Sequence, residues 1–194
     1  MPLDLIVQNI SKYVHLNAEE QTIFTGHLQS KSIKKKNFLL TEGEVCKYSA
    51  FVIKGCLRGY FVDKNGIEHV LDFAPPDWWI ADMYSLITQK PGIVNIEALE
   101  DTDVLLLSKT AQEALYKLIP KFERFFRILT EKSLVANQQR IIDNMSLTAE
   151  ERYNIFCNRY PSLIYALPQK HIASYIGVTP EFFSRMRKES LRKS

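Results

Sequence analysis

The sequence predicts an α+β protein made of N-terminal helices, an antiparallel β jelly-roll barrel, one long helix and a C-terminal helix-turn-helix. Three patterns lead to this prediction. Short apolar runs separated by turns occupy residues 32–108, helical spacing of apolar residues begins near Thr110, and two short helical patterns meet at a glycine near the C-terminus. The expected regions are a barrel domain at 1–110, a long helix and hinge at 111–145, and a helix-turn-helix domain at 146–194.

The barrel is predicted from the spacing of its strands and turns. Two short helices precede it, and Asn17 with Glu20 in the second of them has the spacing of a capping box. About seven or eight short strands follow, with the clearest hairpin signal at Asn65-Gly66. A short helix from Ala81 to Thr88 interrupts the strands. Strands at this spacing are typical of a sandwich or jelly roll.

A long helix is predicted from about Pro120 to Asn144, a length of roughly 37 Å at 1.5 Å per residue. A helix of this length needs a partner for its apolar face. Part of that face is expected to pack on the barrel, and the remainder to form a homodimer seam. The alternative is a helix wholly buried within its own subunit. The expected interface residues are Phe122, Phe125, Phe126, Leu129 and Ala136.

After a hinge and a capping box at Thr148, the chain reaches the helix-turn-helix pattern, which begins at Gln169. Ala173, the fifth residue of this pattern, is small enough for two helices to approach closely. Gly177, the ninth, permits the positive φ of a tight interhelical turn. Thr179 is a suitable N-cap for the second helix. The alternative is an ordinary helical hairpin with a solvated polar face.

The second helix of this pattern is predicted to contact DNA bases. At about 100° per residue, an apolar face with Phe183 leaves a polar face on the opposite side. Arginine pairs with guanine, and glutamate accepts a hydrogen bond from cytosine or orients a neighbouring arginine. Because the N-terminal end of such a helix enters the major groove, its first residues belong to the interface. The predicted DNA-binding residues are Gln169, Lys170, Thr179, Pro180, Glu181, Ser184, Arg185 and Lys188.

The positive charge of the chain is concentrated at the same place. The whole chain has a formal net charge of +3. Residues 168–194 contain six Lys or Arg and two Glu, so this segment is +4 and the rest of the chain is −1. Binding to the phosphate backbone of double-stranded DNA requires such a local excess of positive charge.

Other features indicate a cytoplasmic protein with no membrane partner. Hydrophobic residues make up 46% of the chain and charged residues 24%, which is typical of globular proteins. No signal peptide or apolar run of membrane-spanning length is present in the sequence. The three cysteines, Cys46, Cys56 and Cys157, lack metal-ligand spacing, so we expect reduced thiols and no metal site.

Two other classes of function are alternatives to DNA binding for this sequence. A cupin enzyme would hold a metal with a His-x-His pair, which this sequence lacks, and no P-loop or Gly-x-Ser-x-Gly motif occurs. The sequence therefore disfavours an enzyme. The other alternative is a ligand-binding adaptor that acts through protein–protein contacts, with the terminal helices as an interaction hairpin and without DNA binding.

The order of barrel, long helix and helix-turn-helix resembles the Crp/Fnr family of transcription regulators. The resemblance rests on Glu42-Gly43-Glu44, on Phe51 to Arg58, on the Asn65-Gly66 hairpin and on Ile172 to Arg187. Thr148 to Tyr153 is similar to a short branch of orphan regulators. The resemblance implies a homodimer that binds a two-fold symmetric operator in double-stranded DNA, with RNA polymerase as a candidate further partner. Glu181 and Arg185 match the two main base-reading positions of the family.

The resemblance also implies a cyclic-nucleotide-binding-like effector domain, but the nucleotide-binding residues differ. Family members that bind cyclic nucleotides have Gly-Glu before the short helix and Arg-Ser after it. Here the first site is Ile80-Ala81-Asp82 and the second is Gly92 to Asn95, without an arginine. A buried phosphate without a cation is strongly disfavoured, so we expect no cyclic AMP or cyclic GMP and assign no cofactor.

A remaining effector pocket in the barrel is expected near the two tryptophans. The alternative is a collapsed core in which the tryptophans only fill space. The candidate pocket residues are Arg58, Trp78, Trp79, Asp82, Met83, Tyr84 and Asn95.

Overall fold

In a computed structural model of the chain, the backbone is described for residues 2–193 and the side chains for residues 3–189. The helices are α1 (Pro2–Ser11), α2 (Ala18–Gly26), α3 (Met83–Thr88), α4 (Lys109–Leu118), α5 (Lys121–Ser146), α6 (Ala149–Arg159), α7 (Gln169–Tyr175) and α8 (Pro180–Lys193). The strands are β1 (Leu28–Ile33), β2 (Phe38–Leu40), β3 (Tyr48–Lys54), β4 (Leu57–Val62), β5 (Glu68–Ala74), β6 (Trp79–Ile80), β7 (Asn95–Ala98) and β8 (Thr102–Ser108).

The chain forms two compact units. The first contains Met1–Phe61 and Asp72–Lys132, and the second contains Val62–Leu71 and Ser133–Ser194. The tip of the β4–β5 hairpin therefore belongs to the same unit as the C-terminal helices. In the hairpin turn, Gly66 has a φ of +80°, as expected for the Asn-Gly signal.

The strands form two four-stranded sheets, in the orders β1-β8-β3-β6 and β2-β7-β4-β5. In the first sheet β3 and β8 pair antiparallel, with Phe51 opposite Leu105. One apolar cluster lies between the two sheets and includes Val52, Leu57, Ile96 and Leu106. This arrangement confirms the predicted jelly-roll architecture.

The run Val104 to Leu107 in β8 is apolar without interruption because both faces of this sheet are buried. Val104 and Leu106 belong to the cluster between the sheets. Leu105 and Leu107 point the other way, into a second cluster with side chains of α1, α2, α4 and the start of α5. Successive side chains of a strand alternate between faces, so a doubly buried strand has no polar alternation.

The first turns of α5 do not expose the apolar side chains that the predicted dimer seam requires. Phe122 and Phe125 have no exposed surface, and Phe122 stacks on Phe24 with ring centroids 4.9 Å apart. Phe126 and Leu129 are half-buried against the same cluster. These residues lie in the core of their own protomer because the N-terminal helices cover this end of α5. Phe122 and Phe125 therefore offer no surface to a second subunit.

The second unit begins its helical part with a capping box. Thr148 Oγ1 accepts a hydrogen bond from Glu151 N, and Glu151 accepts one from Thr148 N, as predicted. Helix α6 ends before a 3₁₀ turn at Pro161–Leu163. No strand occurs from α6 to α8 in the described part of the chain.

Among the described residues, none of the helices is both long enough and apolar enough to serve as a membrane span.

Candidate nucleic-acid interface and effector domain

The turn between α7 and α8 has the geometry that its sequence predicts. Gly177 has a φ of +73°. Val178 N donates to Ala173 O at 3.0 Å and Gly177 N donates to Ser174 O at 3.2 Å, the hydrogen-bond pair of a Schellman C-cap. Thr179 Oγ1 then accepts from Phe182 N at 3.2 Å and caps the start of α8. Local signals thus set the direction in which α8 leaves the turn.

Helix α8 is anchored in the core through Phe183. Phe183 is fully buried and meets the ring of Tyr153 edge-on at 5.1 Å between centroids. Ala173 of α7 is also fully buried, which is consistent with a close approach of the two helices. Because Phe183 points inward, the opposite side of α8 faces solvent.

The predicted DNA-binding residues occupy the ends and the outer side of these two helices. Ser184 is half-buried and the others are exposed. Gln169 and Lys170 are the first two residues of α7, and Pro180 and Glu181 are the first two of α8. Arg185 follows Glu181 by four positions and therefore lies about one turn along the same face. The assignment of all these residues to DNA binding stays a prediction.

Four hydrogen bonds in this unit, made by Ser174 and Arg140, were not predicted from the sequence. Ser174 Oγ in α7 accepts a hydrogen bond from Val70 N at 3.0 Å and donates one to Glu68 O at 2.7 Å. Arg140 of α5 donates to Val70 O at 2.9 Å and to Leu71 O. The hairpin tip is therefore bound to both α7 and α5. These partners are separated by 69 to 106 residues in sequence, so no local pattern indicates them.

The predicted effector-pocket residues lie in several different environments. Trp79 packs outside the space between the sheets, with its ring 5.3 Å from Phe51 and 5.8 Å from Phe126. Trp78 packs against the cluster between the sheets. Met83 and Tyr84 of α3 are exposed. The structure therefore does not bring the two tryptophans and the α3 residues together around one space.

Two polar members of this set, Arg58 and Asn95, already have partners within the protein. Arg58 is buried and forms an ion pair with Glu97, with Nη2 and Oε2 2.6 Å apart. The side chain of Asn95 is buried and accepts a hydrogen bond from Glu42 N at 2.9 Å. A guanidinium neutralised by a partly buried carboxylate is a poor partner for a second anion, since a competing anion would leave Glu97 unpaired.

Asp82 lies at the first site, where family members that bind cyclic nucleotides have the glutamate of Gly-Glu. Its Oδ1 accepts from Ser85 N at 3.1 Å and caps α3, whereas its buried Oδ2 has no hydrogen-bond partner among the described residues. A Cβ on Gly92 would lie only 1.9 Å from this oxygen. The buried carboxylate therefore points at the segment that replaces the family's Arg-Ser. These residues do not fit a cyclic nucleotide, because the segment from Gly92 to Asn95 supplies no arginine to pair with its phosphate.

The barrel unit has a cavity of about 460 Å³, and it is lined by residues other than the predicted pocket residues. Its apolar wall comes mainly from β2, β7 and β8, and Lys31, Glu44 and Lys47 add charged groups. None of the seven predicted pocket residues lines this cavity. The complete lining is Lys31, Leu39, Leu40, Glu44, Val45, Cys46, Lys47, Tyr48, Ile96 and Leu106.

The cysteines of the barrel are free and buried. Burial raises the pKa of the Cys56 thiol to about 12, and burial also raises the pKa of Cys46. The nucleophile and metal ligand in cysteine chemistry is the thiolate. Both thiols are therefore protonated at neutral pH and have little reactivity.

Comparison with known proteins agrees with the fold described above. Residues 30–118 match the family model of the cyclic nucleotide-binding domain. No curated protein matches the sequence. Among solved structures, FixK2 from Bradyrhizobium japonicum has a TM-score of 0.74 at 21% identity, over 86% of this chain and 85% of that one.

Two further solved structures cover nearly the whole chain. The catabolite activator protein of Thermus thermophilus has a TM-score of 0.60 at 20% identity, over 100% of this chain and 88% of that chain. The global regulator CLP of Xanthomonas campestris, described as c-di-GMP responsive, has a TM-score of 0.73 at 13% identity, over 91% and 93%. These proteins are transcription regulators of the Crp/Fnr family and not enzymes. Residues 30–118 of this chain are therefore similar to a cyclic nucleotide-binding domain, and the chain has the fold of the Crp/Fnr regulators.

Proposed function

We propose that this protein is a sequence-specific regulator of transcription that binds double-stranded DNA as a homodimer. The observation that carries the proposal is the outer face of α8. Glu181, Arg185 and Lys188 are exposed there, while Phe183 holds the opposite face in the core. A capped, exposed helix with Glu181 and Arg185 on its N-terminal half and Lys188 one turn further has the chemistry of a major-groove recognition helix.

Each exposed group has a defined task in this proposal. Arg185 donates two hydrogen bonds to guanine O6 and N7, and Glu181 accepts from cytosine N4 or orients Arg185. Lys170, at the start of α7, contacts phosphate. The segment 168–194 has a balance of +4, which supports phosphate binding along the same surface. RNA polymerase is the proposed protein partner, because a bound regulator acts by recruiting or excluding it.

The second half of α5 supports the homodimer. Leu134 and Ile141 are 65% and 61% exposed, and Met145 is 83% exposed. Together with Gln138 they follow the alternating four- and three-residue spacing of a coiled-coil seam, and Val135 and Ile142 flank it. Exposed large apolar side chains in such a row are typical of an interface. The proposed seam therefore lies at residues 134–145 and not at Phe122 and Phe125.

The effector is proposed to be a compound other than cyclic AMP or cyclic GMP. The absence of an arginine from Gly92 to Asn95, and the pairing of Arg58 with Glu97, oppose binding of a cyclic phosphate. Isothermal titration with cyclic AMP and cyclic GMP tests this point. Measurable heat of binding to the wild type would contradict it.

The first experiment is selection of bound duplexes from a random DNA pool, with wild type and Arg185→Ala in parallel. We expect the wild type to enrich a two-fold symmetric site with half-sites about 10–11 base pairs apart, the spacing that a dimer imposes. Arg185→Ala should lose about 1–3 kcal/mol and relax specificity at one base pair in each half-site. Arg127→Ala, an exposed arginine in α5, is the matched control and should select the wild-type site.

The alternatives give different results. If Arg185→Ala weakens binding to all duplexes equally, Arg185 contacts only phosphate. If neither the protein alone nor the protein with cell extract enriches any duplex, DNA binding is wrong. The adaptor reading would then be favoured, in which the terminal helices bind another protein.

A further inference from the structure

The first turn of α8 exposes a large apolar side chain. Phe182 is 45% exposed, whereas its neighbour Phe183 is fully buried. A single exposed apolar residue is common on protein surfaces and indicates nothing by itself. The position of Phe182 on the proposed recognition helix gives its exposure a specific meaning.

Phe182 borders the proposed base-reading face. At about 100° per residue it lies about 60° around the helix from Arg185 and one turn closer to the N-terminus. Its backbone N–H donates to Thr179 Oγ1, so the capping hydrogen bond holds this residue in the first helical turn. The first turn is the part of a recognition helix that reaches deepest into the major groove. A helix that places Arg185 at a base edge therefore also brings Phe182 close to the bases.

The side chain of Phe182 limits the groups it can recognise. A phenyl ring neither donates nor accepts a conventional hydrogen bond, so it gains little from phosphate oxygens or from polar base edges. The C5-methyl group of thymine is the apolar group that the major groove displays, and phenylalanine is one of the side chains that contact it. The chemistry of Phe182 matches thymine and not guanine or adenine.

We propose that Phe182 reads the C5-methyl group of a thymine next to the base pair that Arg185 contacts. This inference rests on the proposed function, because it requires α8 in the major groove. It adds a specificity-determining residue that carries no charge. The half-site should accordingly contain a thymine beside the guanine of the Arg185 contact.

The test replaces thymine by deoxyuridine, which lacks only the methyl group. In the duplex selected by the wild type, each thymine is replaced in turn, and Kd is measured by fluorescence anisotropy at one fixed salt concentration. For the wild type we expect one thymine per half-site whose replacement weakens binding by about fourfold, the factor for one buried methylene-sized group. Replacement in both half-sites should weaken binding by about 15-fold. Phe182→Ala should bind the thymine and uracil duplexes equally.

Two controls separate this effect from a general loss of binding. Phe182→Leu keeps an apolar side chain and should retain part of the discrimination between thymine and uracil. Phe182→Ala should also leave the slope of log Kd against log salt unchanged, because no phosphate contact is lost. Ile155→Ala, which shortens another exposed apolar side chain of the same unit, should keep the full wild-type discrimination.

Each contrary outcome has a separate meaning. An equal uracil penalty in the wild type and in Phe182→Ala, or the absence of any uracil penalty, overturns the assignment of Phe182 and leaves the DNA-binding proposal intact. Failure of the wild type to enrich any duplex overturns both.

Discussion

Gly55 is a position in the barrel that does not accommodate a side chain. It has a φ of +85°, and a Cβ at this position would lie 2.5 Å from Thr102 Oγ1 and 2.6 Å from Asp101 O. The turn after β3 therefore requires glycine for two reasons, the backbone conformation and the closely packed strand β8. Gly66 has a similar φ of +80° but no atom within 4 Å of a Cβ.

Comparison of two alanine substitutions separates these reasons. Gly66→Ala should lower the free energy of unfolding by about 1–2 kcal/mol, the strain of a left-handed residue with a side chain. Gly55→Ala should lower it by about 2–5 kcal/mol, because overpacking adds to the same strain. Urea unfolding of both variants measures the difference. Equal losses would contradict the close approach of β8.

At the scale of elements, the start of α6 depends on the capping box of Thr148 and Glu151. Hydrogen bonds from Thr148 N and from Thr148 Oγ1, each 2.8 Å long, lower the pKa of Glu151 below its ordinary value of 4.5. A carboxyl group with a lowered pKa in the folded state stabilises the fold above its unfolded pKa. This stabilisation is lost as the pH falls through the folded pKa.

Glu151→Gln should therefore reduce stability at neutral pH, and its difference from the wild type should shrink to zero as the pH falls below about 4.5. Thermal unfolding from pH 7 to pH 2.5 measures this difference. Glu150→Gln removes the same charge from the same helical turn outside the capping box and is the matched control. The capping role would be refuted by a wild type and a Glu151→Gln variant whose stabilities stay parallel throughout that pH range.

A second contact at this scale joins the hairpin tip to α7. Ser174→Ala removes the acceptor of Val70 N and the donor to Glu68 O, within a unit where Val70 is 1% exposed. We expect a loss of about 1–3 kcal/mol, since a buried donor is left unsatisfied. Hydrogen exchange at the Val70 amide should become faster.

The matched control for this prediction is Ser146→Ala. Ser146 Oγ donates to Ile142 O within its own helix and is exposed, so its loss should leave the Val70 amide unchanged. Unaltered exchange of the Val70 amide in Ser174→Ala would show that the hairpin is held in place by other contacts.

At the scale of the whole molecule, the proposed dimer depends on the exposed half of α5. Ile141→Asp places a charge in the centre of the seam, where burial of an unpaired carboxylate is unfavourable. The variant should be monomeric by light scattering and should lose binding to the two-fold symmetric site. Ser133→Asp adds the same charge to α5 outside the seam and should remain dimeric. A dimeric Ile141→Asp would place the interface on another surface.

Much of the fold was predictable because its signals are local. The capping boxes at Asn17 and Thr148 and the turn glycines Gly66 and Gly177 act over a few residues, and all four occur as predicted. The candidate DNA-binding face was predictable for the same reason. Once α8 is a helix anchored by Phe183, the 100° periodicity places Glu181 and Arg185 on the outside.

The sequence by itself thus determined the order of elements, the turns between them and the polar face of α8. Only the tertiary structure decided which apolar residues are already covered. Phe122 and Phe125 follow the same helical spacing as the exposed residues of α5, and the difference is that they pack in a cluster with α1, α2, α4 and β8. Only the tertiary structure likewise decided the hydrogen bond between Ser174 and Val70 and the close approach of Asp82 to Gly92. Such contacts depend on the three-dimensional arrangement of distant segments, and no local pattern of residues encodes them.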